Sequence, residues 1–504
     1  MNQHSTAGIA IAFLTSSLAA CATQNETPEY DLVREIHVEH VAPAEEGVAV
    51  SGSRPVRRTA ALAQAGLLFA RSFRVDPLNR PVSNTMSLGS WMLKSAGGLL
   101  RRVAIDTARF PALETAPVPP VAGHAGMDLI AWEEQLDRIS GTRATRGTIR
   151  FLVDGSEYFA RMLDAVQSAR RSVDIRTYIF DNDDFAVMVA DALREKSKTA
   201  EVRVIVDGIG NLMALQTDPE SMPHRHRVPL SMASYLQYDS NVRVRKRANP
   251  WLTGDHTKTT IVDHRIAFLG GMNIGREYRY EWHDLMMELH GPVVDQLQFD
   301  TDRAWSAASP LGDLANFFSF IRGPQRRADD IGYPLRLLYT RNFDSQIYRA
   351  KLGAIRRAKR YILIENSYFS DDIILFELAQ ARRRGVDVRV IVPDDGNHGS
   401  HDASNRVTIN RMLKNGIRVF RYPGMNHVKA MIVDGWACVG TANFDKLSLE
   451  INKEVNVATS HPAAVAELLQ KVFLPDLERS VEVLEPLETD LRDHVLERVT
   501  DEFL

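Results

Sequence analysis

The chain has almost no cysteine: two residues in 504, Cys21 and Cys438. A disulfide framework is thereby excluded, and Cys438, set in the apolar run WACVG, reads as a buried strand residue. Long hydrophobic runs are also missing. No segment of the body approaches the roughly 18 uninterrupted apolar residues that a spanning helix needs. Nor is there an excess of charge of one sign. The 61 Lys and Arg against 64 Asp and Glu leave a formal net charge of −3, which removes the argument for a polycationic nucleic-acid binder. What remains, 44% hydrophobic and 25% charged residues, is an ordinary globular balance. The length suits about two to four units of roughly 100–200 residues.

The two ends are less ordinary. Residues 7–20, AGIAIAFLTSSLAA, are too short to span a bilayer and read as a signal-peptide core. Leu18-Ala19-Ala20-Cys21 has the form of a bacterial lipobox. Residues 1–21 are therefore expected to be a lipoprotein-type signal, with cleavage before Cys21 and lipid on its thiol. Ala22 then favours the outer membrane, facing the periplasm. MNQHST contains no Lys or Arg, which leaves an uncleaved inner-membrane anchor as the alternative. Residues 22–145 form an N-terminal basic and linker region. Within it, 50–109 carry ten Lys or Arg against two acids, suited to docking on an anionic lipid surface at about 1 kcal/mol per basic residue. Met86 to Ile105 reads as an amphipathic helix containing Trp91 and Leu99, placed either on a bilayer or on the main body. PALETAPVPP (111–120) reads as a linker. Residues 476–504 read as an acidic helical tail in solvent.

Between the ends the chain repeats itself. IRFLVDG, YFARMLDAVQSARR, SVDIRTYIF, DFAVMVADALREKS and VRVIVDG alternate strand and helix patterns, and LRLLY, SQIYRAKLGAIRRAK, RYILIENSYF, DDIILFELAQARRRG and VDVRVIVPD follow in the same order. Short β-branched runs separated by helices predict a βαβ sheet with both faces covered. The expected halves are 146–320 and 332–475. Each contains one strand of special composition, HTKTTIVD (256–263) and HVKAMIVD (427–434).

His256, Lys258 and Asp263 are followed by Gly-Gly-Met-Asn ending at Asn273, with Asp284 11 residues further. His427, Lys429 and Asp434 are followed by Gly-Thr-Ala-Asn ending at Asn443, with Glu454 again 11 residues further. The copies differ by one residue between Asp and Gly. Period-two alternation puts each His and Lys on one face of a strand. A single H-x-K is commonly surface decoration; two full copies with matched carboxylate spacing are not. Two lysines on buried faces need anions to balance them, and phosphate suits lysine and amide donors. Histidine adds a nucleophile or proton donor near neutral pH. With two histidines on opposite sides of one phosphorus, one can attack in line while the other protonates the leaving oxygen. A metal site fits poorly, because an i, i+2 His-Lys pair offers one ligand.

These residues resemble the phospholipase D superfamily, marked by a duplicated H-x-K-x-x-x-x-D motif. FLGGMNIGREY, WHDLMMELHGPVV and VGTANFDKLSLEINKEVNV are similar to bacterial cardiolipin synthases. The resemblance spans about 149–475. It implies an α/β fold of two pseudo-twofold-related α-β-α halves sharing one active site, with no metal or other cofactor, and a covalent phosphohistidine. It further implies that His256 is the nucleophile, His427 the general acid, and Asp284 and Glu454 the carboxylates that orient the imidazoles. Lys258, Lys429, Asn273 and Asn443 would cradle phosphoryl oxygens, and Asp263 and Asp434 would be structural. The expected partners are phospholipid substrates and a membrane surface, with no nucleic acid. The expected activity is phosphatidyl transfer; hydrolysis to phosphatidic acid is the alternative, and cleavage of nucleic acid a more distant one. His398 and His401 in DDGNHGSHDASNR, and the segment PHRHRVP (223–229), read as loops near the cleft.

Overall fold

The structure is a computed structural model. It describes residues 50–51, 54–490 and 493, apart from 216–217, 224–225, 247–252, 327–328 and 397–398. Cys21 and the expected signal peptide lie outside the described residues, as does His398.

Aspartates set the strand-to-helix exits. Asp183 accepts the N–H of Ala186, Asp207 those of Ile209 and Gly210, and Asp371 that of Ile374. Each satisfies donors that a helix start leaves orphaned. Strand Ser172–Thr177 is buried along its whole length, as a strand covered on both faces must be.

Read outward from their junction, the two halves have one strand order. The first runs Thr145–Val153, Leu285–His290, Ile266–Gly270, Thr259–Val262, Ser172–Thr177, Glu201–Val206, Arg243–Lys246. The second runs Tyr333–Arg341, Glu454–Thr459, Trp436–Gly440, Lys429–Val433, Tyr361–Asn366, Asp387–Pro393, Arg418–Tyr422. They join through a short antiparallel pairing, Tyr333 opposite Gly147 to Leu335 opposite Thr145. The α/β duplication expected from the repeat is therefore present as one continuous sheet with a pseudo-twofold seam. Three apolar layers accompany it. One covers the outer face of each half, and a third, containing Leu269, Leu289, Leu337, Val455 and Phe473, is built from both.

Only the outer three strands of each half are parallel. The motif strands instead form antiparallel hairpins, Thr259–Val262 with Ile266–Gly270 and Lys429–Val433 with Trp436–Gly440. The turns explain the one-residue slip between the copies. Asp434 and Gly435, at φ 48° and 94°, make a two-residue turn of the primed kind that matches strand twist. In the first copy three residues, Asp263, His264 and Arg265, make the turn.

Ahead of the first half, helices Arg54–Ala70 and Pro81–Ala104 pack against the body, the second covering the segment expected to be an amphipathic helix. Leu129–Ser140 carries the fully buried Trp132, which meets Trp436 edge-on at 5.4 Å between ring centroids. The described part of the acidic segment, 476–490, differs from the expected solvated helix, while 491–492 and 494–504 lie outside the described residues. After helix Leu474–Arg479, Val481–Glu482 adds a short strand beside Phe420 and Arg421, and 483–490 is not helical. Backbone groups at Val419 and Asn410 side-chain groups capture this segment, which a freely solvated helix would not permit. No helix among the described residues is long and apolar enough to cross a membrane.

Candidate active site

The two motif strands meet across the halves. His256 N–H donates to Lys453 O at 3.1 Å, and Lys453 N–H to Gly254 O at 2.9 Å. The mirror pair is His427 N–H to His283 O at 2.7 Å and His283 N–H to Met425 O at 3.1 Å. These bridges carry the side chains with them. His256 Nδ1 lies 2.8 Å from Glu454 Oε1, and His427 Nδ1 lies 2.6 Å from Asp284 Oδ2. Each imidazole is thus held by the carboxylate of the opposite copy. A carboxylate on Nδ1 fixes the tautomer with the proton there and leaves Nε2 free for chemistry.

Lys258 Nζ donates to His256 O at 2.8 Å, and Lys429 Nζ to His427 O at 2.7 Å, both lysines being almost wholly buried. Burial pulls Lys258 down to about 7 and Lys429 to about 8, and it pushes Asp284 up to about 7 and Glu454 to about 8. The cause is the loss of hydration by four ionisable groups in one dry space. His256 is held well below the ordinary imidazole value by burial and then by Lys258 and Lys429, so it stands neutral. A phosphate placed among these groups would favour the charged form of both lysines, because it supplies an anion where burial has removed water.

The motif aspartates sit away from this space. Asp263, at φ 52°, accepts the N–H groups of Arg170, Arg171 and Ser172 at 2.9, 2.7 and 3.0 Å. Asp434 accepts those of Lys359, Tyr361 and Met127 at 2.7, 2.8 and 2.8 Å. Each staples its hairpin turn to the start of the neighbouring strand. Asn273 accepts from Ile179 N–H at 3.0 Å and donates to Tyr278 Oη at 2.8 Å. Asn443 lies against Asp445, its Oδ1 buried without a hydrogen-bond partner.

Several groups at the site were not read from the sequence. Tyr178 meets His256 edge-on at 5.0 Å, while Tyr278 and Trp282 lie 5.7 and 5.3 Å from His427. Thr441 donates its hydroxyl to Glu454. Gly271 stands at the matching place in the first copy, where a Cβ would come within 2.1 Å of Asp284 Oδ1. Comparison of GGMN with GTAN already contained that difference. His283 is gripped by Asp154 on Nδ1 at 2.7 Å and Asp476 on Nε2 at 3.0 Å, stacks on Tyr422, and is held well above the ordinary imidazole value by these carboxylates against its burial. Of the expected cleft loops, His226 bonds Asn182 O at 2.9 Å, and His401 falls in helix Gly399–Lys414.

This fold is shared with the crystal structure of phosphatidylserine synthase from Haemophilus influenzae, which superposes with a TM-score of 0.56 at 13% identity, covering 74% of this chain and 96% of that one. The family model described as cardiolipin synthase, PLD-like domain, matches residues 162–305 and 352–476. The chain belongs to that family and is an enzyme of the phospholipase D superfamily. It is 28% identical over 398 residues to cardiolipin synthase A of Pseudomonas aeruginosa, covering 73% of this chain and 75% of that protein. It is 30% identical over 244 residues to a cardiolipin synthase of Listeria innocua, covering 45% of this chain and 49% of that protein.

Proposed function

We propose that the protein is a phosphatidyltransferase of cardiolipin-synthase type, working through a covalent phosphohistidine on His256. The observation that carries this is the crossed pairing of His256 with Glu454 and His427 with Asp284 over two buried lysines. His256 Nε2 attacks phosphorus on the distal side of the phosphate, and the departing alcohol oxygen takes the Nε2 proton of His427, which enters this step as the imidazolium with Asp284 on its Nδ1. The acceptor alcohol then returns its proton to His427 as its oxygen attacks phosphorus and releases His256. Neutrality of His256 leaves its lone pair available, and its side chain is the more open of the two, 14% exposed against 6% for His427. Lys258 and Lys429 hold the phosphoryl oxygens and oppose the charge that grows on them. Glu454 and Asp284 keep the imidazoles in register. Asp263 and Asp434 act through the turns, and Asn273 and Asn443 assist the lysines at the phosphoryl oxygens, Asn273 while also holding Tyr278.

With phosphatidylglycerol as both donor and acceptor the products are cardiolipin and glycerol. With water as acceptor the product is phosphatidic acid. Relatives named as cardiolipin synthases favour the first reading. The same proposal places the enzyme in the cell envelope, anchored through lipid on Cys21.

Lipid product analysis tests this. Purified protein is given phosphatidylglycerol alone, then with glycerol or phosphatidylethanolamine, with His256→Ala as control. Cardiolipin from the native enzyme and none from the variant is expected. Phosphatidic acid alone would make the enzyme a hydrolase, and no turnover of any lipid would sink the phosphatidyl reading.

A further inference from the structure

Most of the exposed large apolar side chains of the described residues fall in two segments, 62–103 and 311–321. Amphipathic helices on a globular body normally turn their apolar stripe inward. Here the order is reversed. In helix Pro81–Ala104 the inward positions are polar. Ser90 Oγ accepts Phe343 N–H at 3.0 Å, Ser87 meets Asn342 at 2.8 Å, and Lys94 donates to Arg341 O at 3.0 Å. Its outward positions are Met86, Met92, Leu93 and Leu100, of which Leu93 is 68% exposed. The segment just before it behaves alike: buried Arg80 donates to Ala307 O at 2.9 Å while Phe73 and Leu78 stand in solvent. Helix Gly312–Arg322 lies alongside, tied by Asp313 accepting Val82 N–H at 2.7 Å, and exposes Leu314, Phe317 and Phe318. Three neighbouring elements therefore show one apolar face, larger in character than the scattered apolar residues any surface carries.

Arginine predominates among the exposed charges around this face, one of them, Arg101, also reaching Glu450 at 3.4 Å. Arg71, Arg74, Arg101, Arg109, Arg322 and Arg326 are exposed. The acids of 54–109 and 311–326 are three, and each is engaged: Asp76 by Arg80 at 2.6 Å, Asp106 by Arg411 at 3.2 Å, and Asp313 by the backbone of Val82. The face also lies close to the site. Lys94 grips the Arg341 carbonyl, and Asn342 beside it meets Thr253, three residues before His256. Resting on the phosphatidyl-transfer reading for its purpose, we propose that this face is a bilayer-insertion surface. The apolar side chains of 86–100 and 314–321 enter the acyl region of an anionic phospholipid membrane, and the arginines meet its headgroups.

The test uses the full chain with Cys21→Ser, so that no lipid on that thiol holds it to vesicles. A fluorophore sensitive to polarity is attached at Leu93→Cys, and separately at Leu484→Cys, which is exposed but outside the face. Vesicles of phosphatidylglycerol and phosphatidylcholine, with and without nitroxide-labelled acyl chains, are then added. The Leu93 probe is expected to shift to shorter wavelength and to be quenched by the nitroxide; the Leu484 probe is expected to do neither. Arg71→Ala with Arg74→Ala should weaken vesicle binding by roughly tenfold or more, at about 1 kcal/mol per cation near an anionic surface. Leu100→Glu with Phe318→Glu, carrying the Leu93 probe, should abolish the insertion signal and leave turnover of detergent-dispersed phospholipid unchanged. A Leu93 probe that never senses acyl chains overturns the proposal. So does a native dimer that the glutamate variant dissociates with vesicle binding intact, since the face then belongs to a second copy. So does vesicle insertion that appears only after residues 1–49 are removed. Native protein that inserts but turns over no dispersed lipid would leave the surface standing and the phosphatidyl reading fallen.

Discussion

The two half-sites share a backbone and differ in what surrounds it. Around His256 the partners are Tyr178, the Lys453 carbonyl and Glu454, with Thr441 fixing that carboxylate. Around His427 they are Tyr278, Trp282, the His283 carbonyl and Asp284, with Gly271 leaving room where the other copy has a hydroxyl. The supporting charges are inverted as well. Arg176 bonds Asp255 just ahead of His256, at 2.9 Å, whereas Glu365 accepts from Asn426 just ahead of His427, at 2.6 Å. Strand register places Arg176 and Glu365 at equivalent positions, opposite Thr259 and Ala430. A duplicated motif thus supplies two histidines in matched poses, and the second layer makes one open and neutral and the other enclosed by aromatic rings. Such division suits a reaction needing one nucleophile and one acid.

The largest effect should come from removing that division. His256→Ala is expected to lower kcat by roughly 10⁴-fold or more on any leaving group, since no covalent intermediate can form. His427→Ala should cost about 10²- to 10⁴-fold with a glycerol leaving group, and little in the first step with p-nitrophenol, which departs without a proton. Burst kinetics on both substrates checks this, and equal losses for the two variants on the activated ester would erase the assigned roles.

Next come the carboxylates, where the crossing makes a sharp statement. Asp284→Asn should imitate loss of His427, although Asp284 belongs to the first copy, and Glu454→Gln should imitate loss of His256. Losses of roughly 10²- to 10⁴-fold are expected from the wrong tautomer. In a double-mutant cycle with a glycerol leaving group, Asp284→Asn and His427→Ala should be strongly non-additive. Additive behaviour would mean the pair does not act as a unit.

A smaller effect concerns stability on the His427 side alone. The folded state raises His283 above its unfolded value of about 6.5, so its contribution is fully present below that pH and is lost as pH rises through the raised value. Native protein should lose melting temperature over that rise. His283→Gln should remove the slope and cost about 3 kcal/mol at pH 6, the usual result of breaking a buried charge network. Thermal melts across pH decide it; an unchanged slope in the variant would place the titration elsewhere. The smallest effect is expected from Thr441→Gly, which makes the second copy like the first. It removes one hydrogen bond to Glu454 and should lower kcat/KM by roughly fivefold, about 1 kcal/mol. Gly271→Ala should do far more harm, because its Cβ meets Asp284. If the two substitutions proved equal in steady-state kinetics, the half-sites would be less different than they stand here.

Much of this was legible in the chain. The alternation of HTKTTIVD and HVKAMIVD placed His and Lys on one face of each strand, and the 11-residue spacing picked out Asp284 and Glu454. Repeated β-branched runs and helices gave the duplicated α/β halves. The antiparallel setting of the motif strands was missed, since apolar runs look alike in parallel and antiparallel strands. Asn273 is expected at the phosphate, and its amide also holds Tyr278, a contact that spacing along the chain does not reveal. Polarity in Met86 to Ile105 was visible, but which side faced the body was not. Ser90 and Lys94 face inward onto the Phe343 N–H and the Arg341 carbonyl, and Ser87 onto the side-chain amide of Asn342, partners that lie far off in the chain.

By itself the sequence determined which side chains share a strand face, which turns close the hairpins, and that two such sets exist, because these follow from local periodicity and φ preference. Only the tertiary structure decided that each histidine takes its carboxylate from the other copy, which rings enclose it, and which helix faces are left apolar in solvent. Those depend on which distant segments come opposite one another, and the pseudo-twofold packing of the halves fixes that where spacing along the chain does not.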